Sequence, residues 1–204
     1  MKRKSLFVIF FIYVFFPVFS QHDQVKFSHL SIEDGLSHST IYSILQDEKG
    51  FMWFGTQDGG LNKYDGYSFT IYKHDIRDTN SISTNRISKI IEGKNGIIWI
   101  GTWGEGLEGF DPKTGIFSHF KHNPENPESL SHNKAQTLYL SDNGTLWVGT
   151  AGGGLNKFNE QSKTFTSYQH DPDDPLTISN NRIWSVSSDE KGNFPAAVCA
   201  DCGV

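Results

Sequence analysis

Past residue 40 the chain alternates apolar and polar positions in short bursts broken by turns. Ile41-Tyr-Ser-Ile-Leu45 and Phe51 to Thr56 read as two strands. Gly60 to Tyr64 and Ser68 to Lys73 follow, with Phe69 and Ile71 alternating against polar neighbours. Period-two alternation over a handful of residues is the mark of a half-buried strand. Between the first two strands stands Asp47-Glu-Lys-Gly50, and later Lys94-Asn-Gly96 and Asp142-Asn-Gly144. Such sequences favour tight hairpins, because glycine takes a positive φ without a Cβ clash. No segment after residue 20 sustains a helical period.

The same burst recurs. Trp53-Phe-Gly-Thr56 returns as Trp99-Ile-Gly-Thr102 and as Trp147-Val-Gly-Thr150, spaced 46 and 48 residues apart. Each is followed by Gly-Leu and then an aromatic, at Tyr64, Phe110 and Phe158. A second motif runs in phase, at Thr84-Asn-Arg-Ile87, His132-Asn-Lys-Ala135 and Asn180-Asn-Arg-Ile183. Four strands in each repeat of this length predict an all-β fold, an incomplete β-propeller of about three four-stranded blades plus the start of a fourth. The blades fall at about 36–81, 82–129 and 130–177, with the fourth starting at 178–194. Trp53, Trp99 and Trp147 are expected to fill the wedge between neighbouring sheets. Gly55, Gly101 and Gly149 would clear space where backbones approach.

Two stretches stand outside the repeat. Residues 1–20 open with Lys2, Arg3 and Lys4, run apolar from Leu6 to Phe16, break at Pro17 and end on Ser20. That is the layout of a signal peptide, too short to span a bilayer. Its removal takes the formal charge from −5 to −8 and leaves an acidic, exported chain. Residues 21–35 are read as a lead-in strand. At the other end, Asp189-Glu-Lys-Gly192 copies Asp47-Glu-Lys-Gly50, and the 48-residue spacing then calls for Trp at position 195, where Pro195 stands. Residues 195–204 are therefore read as an off-register tail, the product of a truncation or frame disruption. Cys199-Ala-Asp-Cys202 lies in that tail without the second ligand pair a zinc site needs.

The acidic balance offers no footprint for nucleic acid. His74, His122 and His170 recur once per blade, so they would be spread around a ring and not gathered on one ion. No metal site, cofactor or catalytic group is predicted. Positions that break the repeat are the better candidates for function. After each Gly-Thr pair come Gln57-Asp58, Trp103-Gly104-Glu105 and Ala151-Gly152-Gly153. Trp103 with Glu105 offers a ring face to stack on and an acceptor for hydroxyls, which suits a sugar. On the first strands the equivalent positions are Tyr42, Ser88, Gln136 and Trp184. Gln57, Asp58, Trp103, Glu105 and Trp184 are the predicted ligand contacts.

The string Asp47-x-x-Gly50-x-x-Trp53-x-Gly-Thr56-x-x-x-Gly60-Leu61-x-x-Tyr64-Asp65-Gly66, its two echoes, and Phe27-Ser-His-Leu-Ser-Ile-Glu-Asp-Gly35-Leu36-Ser37 resemble the two-component regulator propeller repeat over about residues 25–194. The resemblance implies the periplasmic sensor of a hybrid two-component histidine kinase anchored in the inner membrane. It implies an oligosaccharide or other small periplasmic ligand as partner. Further blades, downstream sensor domains and the kinase itself are absent from this chain, and a homodimer of the full-length protein is compatible with it. Two other readings remain: an interaction scaffold, and an Asp-box glycoside hydrolase of sialidase type, suggested by Asp142-Asn-Gly144-Thr-Leu-Trp147. Against the latter, the chain after residue 20 holds only Arg77, Arg86 and Arg182 to meet a substrate carboxylate.

Overall fold

A computed structural model describes residues 27–188 and the backbone of 195–199. It contains three four-stranded antiparallel sheets, each with its strands in sequence order. The first sheet comprises β1 (Ile41–Gln46), β2 (Met52–Thr56), β3 (Leu61–Tyr64) and β4 (Phe69–Tyr72). The second comprises β5 (Ile87–Glu92), β6 (Ile98–Thr102), β7 (Leu107–Asp111) and β8 (Ile116–Phe120). The third comprises β9 (Ala135–Leu140), β10 (Leu146–Thr150), β11 (Leu155–Asn159) and β12 (Thr164–Tyr168). A last pair follows, β13 (Ile183–Ser188) and β14 (Pro195–Cys199). The first strands of successive sheets lie side by side, as blades of an incomplete propeller do.

Trp53 and Trp99 lie in the apolar clusters between sheets. One apolar cluster joins the first two sheets through Trp53, Leu61, Ile87, Ile90, Ile98 and Phe110. A second joins the next two through Trp99, Leu107, Leu138, Val148 and Phe158. Trp53 meets Phe110 of the next sheet edge-on at 5.9 Å, and Trp99 meets Phe158 at 5.1 Å. Trp147 is half-buried and packs on Tyr168. The glycine that follows each Trp is where the next blade presses in: a Cβ on Gly101 would stand 2.6 Å from the Ala135 carbonyl oxygen.

The threonine of each Trp-x-Gly-Thr closes the turn between second and third strands. Thr56, Thr102 and Thr150 are fully buried, and their hydroxyls donate to the carbonyls of Gly60, Gly106 and Gly154 at 2.8, 2.8 and 2.9 Å. The second motif stitches blade to blade. The amides of Gly60, Gly106 and Gly154 donate to the carbonyls of Asn85, Asn133 and Asn181. The side-chain oxygens of those asparagines accept from the amides of His74, His122 and His170 at 2.7–2.8 Å. The histidine rings in turn contact the carbonyls of Ile82, Leu130 and Ile178. Their recurrence thus has a structural cause. Asn133→Ala is expected to cost about 1 kcal/mol, the net worth of one hydrogen bond. Faster exchange of the His122 amide and a lower urea midpoint would register it; unchanged exchange would contradict it.

Two boundary readings need correction. The lead-in is not a strand in its described part, because Ile32–Asp34 form a 3₁₀ turn capped by Ser31 and stopped by Gly35 at φ 104°. The turn satisfies its own amides through a capping box. Residues 1–20 lie outside the described residues, as do 189–194 and 200–204. The tail does not leave the blade at once: Pro195–Cys199 pairs with β13, one residue later than the repeat spacing requires. Ala196, opposite Ser187, stands where Trp53 stands opposite Leu45. Proline is tolerated because it opens the strand.

Candidate functional site

The ends of β2, β6 and β10, the loops after them and the starts of the first strands meet at one mouth. Each first strand carries an irregularity there. The pairing slips between Ile41 and Ser43, between Ile87 and Lys89, across Gln136, and between Ile183 and Ser185. The skipped residues are Tyr42, Ser88, Gln136 and Trp184, the variable set read from the sequence. An extra residue in one strand of a pair re-aims its side chain and is over-represented beside functional sites. A structural device of fixed position therefore presents a different side chain in each blade.

Those side chains behave differently. Tyr42 and Trp184 are 47% and 52% exposed. Ser88 is buried and donates to the Ala135 carbonyl at 2.5 Å, so it serves the joint between blades. Trp103 is half-buried, not exposed as the sequence suggests, because its ring leans on Tyr42 of the first blade at 5.9 Å. The Trp103 indole nitrogen and the Gln136 amide nitrogen are buried with no hydrogen-bond partner.

The predicted carboxylates are already engaged. Glu105 is not a free acceptor: Lys121 holds it at 2.6 Å. Asp58 lies 3.5 Å from the Arg86 guanidinium, and both are largely exposed. Gln57 is half-buried, its amide donating to the Thr40 carbonyl at 3.1 Å. The structure thus joins Trp103 to Tyr42, which the sequence did not single out as its partner. Gln57, Asp58 and Glu105 stand in the loops after β2 and β6, and Trp184 stands near the start of β13.

Sequence reasoning missed a buried acid. Glu108 on β7 is fully buried, where the other blades have Asn62 and Asn156. Those asparagines bond Ser37 and Ser131. In the second blade the Ser83 hydroxyl donates to Glu108, and His119 of β8 stands 2.5 Å from its other oxygen. Burial pushes the Glu108 carboxyl above its ordinary range, opposed by Ser83, His119 and Lys121. The signal was present, as an Asn-to-Glu break in an otherwise repeated position.

Other clefts lie elsewhere. One of about 390 Å³ opens at the opposite strand ends, between the second and third sheets, around Trp99, Phe158 and Lys94. Its Trp99 is only 4% exposed, packed against Gly93 and Gly109, and offers no free ring face. Among the described residues no cluster of His, Cys, Asp and Glu could hold a metal ion.

The geometry defines a partial β-propeller with a variable, aromatic-bearing mouth. Three of its segments, 35–58, 81–104 and 129–152, match the family model of the two component regulator propeller. Each matched segment holds one Trp-x-Gly-Thr motif. Over 76 residues it is 41% identical to Histidine kinase P4 of Formosa agariphila, a match covering 37% of this chain and 6% of that one. It is similar to the extracellular domain assigned to the hybrid two component system BT3049 of B. thetaiotaomicron, with 32% identity and a TM-score of 0.71. That match covers 78% of this chain and 22% of the other. The extracellular domain assigned to the one component system BT4673 of the same organism aligns at 25% identity and a TM-score of 0.64. It is covered to 21% by 80% of this chain, so the chain spans a small part of the relatives it matches. Among the described residues no helix is long and apolar enough to cross a membrane.

Proposed function

We propose that this chain is a ligand-sensing part of the extracytoplasmic propeller of a two-component signal transduction system, acting in the periplasm, and that its mouth reads an oligosaccharide. The observation that carries the reading is the set of strand irregularities at Tyr42, Ser88, Gln136 and Trp184. The fold keeps the irregularity and varies the side chain, and two of the four are exposed aromatics. Exposed rings flanked by hydrogen-bonding groups suit sugar, whose C–H faces stack and whose hydroxyls need partners. The signal would pass onward through the rest of a longer protein, since this chain spans only 6% and 22% of two relatives it matches.

A catalytic role is disfavoured by the placement of the arginines. Arg77 pairs with Asp75 on the connection between blades, while Arg86 pairs with Asp58 at the mouth. A sialidase-like cluster would bring them together. Titration of the full chain with an oligosaccharide panel, followed by calorimetry and Trp fluorescence, tests the proposal. Trp103→Ala and Trp184→Ala should each weaken binding about tenfold, equivalent to 1.4 kcal/mol. Absence of any saccharide response, with capture of a protein partner unaffected by both variants, would favour the scaffold reading instead.

A further inference from the structure

Backbone pairing across the mouth sets five side chains in one row. Arg86 faces Trp103, since β5 and β6 pair Ile87 with Thr102 and the Trp103 amide donates to the Arg86 carbonyl at 3.1 Å. On its other side Trp103 bridges to Lys134. The Ala151 amide donates to the Lys134 carbonyl at 3.0 Å, and Ala151 bridges to Arg182. Residues directly opposite one another in an antiparallel pair project to the same side. The row therefore reads Arg86, Trp103, Lys134, Ala151, Arg182, with a cation at every second place. Two ladder spacings separate successive cations, about 10 Å at the backbone.

The fold uses only the backbone at these positions. The amides of Arg86, Lys134 and Arg182 are satisfied by Thr84, His132 and Asn180. Thr40 makes the same bonds in the first blade, to His38 and from Gln57, without a charged side chain. Recurrence of a basic residue thus has no structural cause, and all three side chains are exposed. Arg86 is offset by Asp58, whereas Lys134 and Arg182 make no ion pair among the described residues. The neighbouring unpartnered groups, Trp103 Nε1 and Gln136 Nε2, are donors as well. Burial first, then the charges of Lys134 and His122, push His132 below its ordinary range.

Two cations of this row, Lys134 and Arg182, have no carboxylate partner among the described residues, in a chain whose formal charge is −5, and such a pair asks for an anionic ligand. We propose that the mouth selects acidic saccharides, with a carboxylate or sulfate on alternate sugars set against Lys134 and Arg182 and a sugar ring against Trp103. This rests on the saccharide reading of the same site.

The experiment measures binding of the folded full chain, held at low density on a biosensor, to hexasaccharides of hyaluronan and chondroitin 4-sulfate. The carboxyl-reduced, unsulfated forms of each serve as the uncharged comparison. The charged forms should bind at least tenfold more tightly, and the preference should shrink as salt is raised. Hyaluronan alone binding would assign carboxylate, chondroitin 4-sulfate alone sulfate. Lys134→Gln and Arg182→Gln should each weaken binding about tenfold without moving the urea midpoint, and Thr40→Ala should do neither. Equal, salt-insensitive binding of the uncharged forms would overturn the acidic preference and leave the saccharide reading standing. No binding of any form would overturn both.

Discussion

Trp53→Ala is expected to destabilise the chain by about 3–5 kcal/mol, the range for deleting a fully buried tryptophan. The ring is 0% exposed and is held from several sides. Phe110 meets it edge-on from the second sheet, and Tyr72 stacks on it at 6.2 Å. Its Nε1 donates to Asp47 at 2.8 Å, and the Lys63 ammonium lies 5.6 Å from its centroid. Truncation leaves a cavity between two sheets and removes the partner of a buried carboxylate, so two penalties fall together. Trp147→Ala should cost visibly less, because that ring is half-buried. Pulse proteolysis in urea at low protein concentration would rank the two. Equal losses would show that the Trp positions are not wedges whose worth scales with burial.

The strands were legible because alternation and glycine turns are local signals, and the first-blade strands lie within a residue or so of the pattern at Ile41, Met52, Leu61 and Phe69. What depends on register was not. The slips at Tyr42 and Trp184 leave the apolar pattern unchanged, so variability marked those positions while the geometry stayed hidden. Glu105 read as a free acceptor because Lys121 is 16 residues away and meets it only once β7 and β8 have paired. Arg86 and Arg182 recur in phase with the Trp-x-Gly-Thr motif. The backbone bonds at these positions belong to the fold, whereas the exposed side chains of Lys134 and Arg182 take no part in them. Pro195 looked like the end of the blade, yet its backbone opens a strand that pairs with β13.

His119→Ala is the second large effect, and its size should depend on pH. The Thr79 carbonyl, 3.1 Å from Nε2, can only accept, so Nε2 carries a proton. The Nδ1–Glu108 contact then shares one further proton between ring and carboxyl. Removing the ring leaves a fully buried carboxylate supported by Ser83 and the more distant charge of Lys121. Breaking a buried pair in this way costs about 3–5 kcal/mol when the remaining group is charged. Glu108 already titrates above the ordinary value of 4.5, because burial disfavours its charged form. Between its unfolded and folded values the native chain binds more protons than the unfolded one. Its contribution is therefore full below the unfolded value and lost as pH rises through the folded one. Without His119 the carboxyl should shift further upward. The variant's deficit should then be small in acid, where Glu108 is neutral, and grow towards neutral and alkaline pH. Glu108→Gln keeps the shape without the charge and should flatten that dependence. Urea midpoints of the three chains across pH would show it, and a deficit of His119→Ala that is constant with pH would mean that Glu108 carries no charge to be compensated.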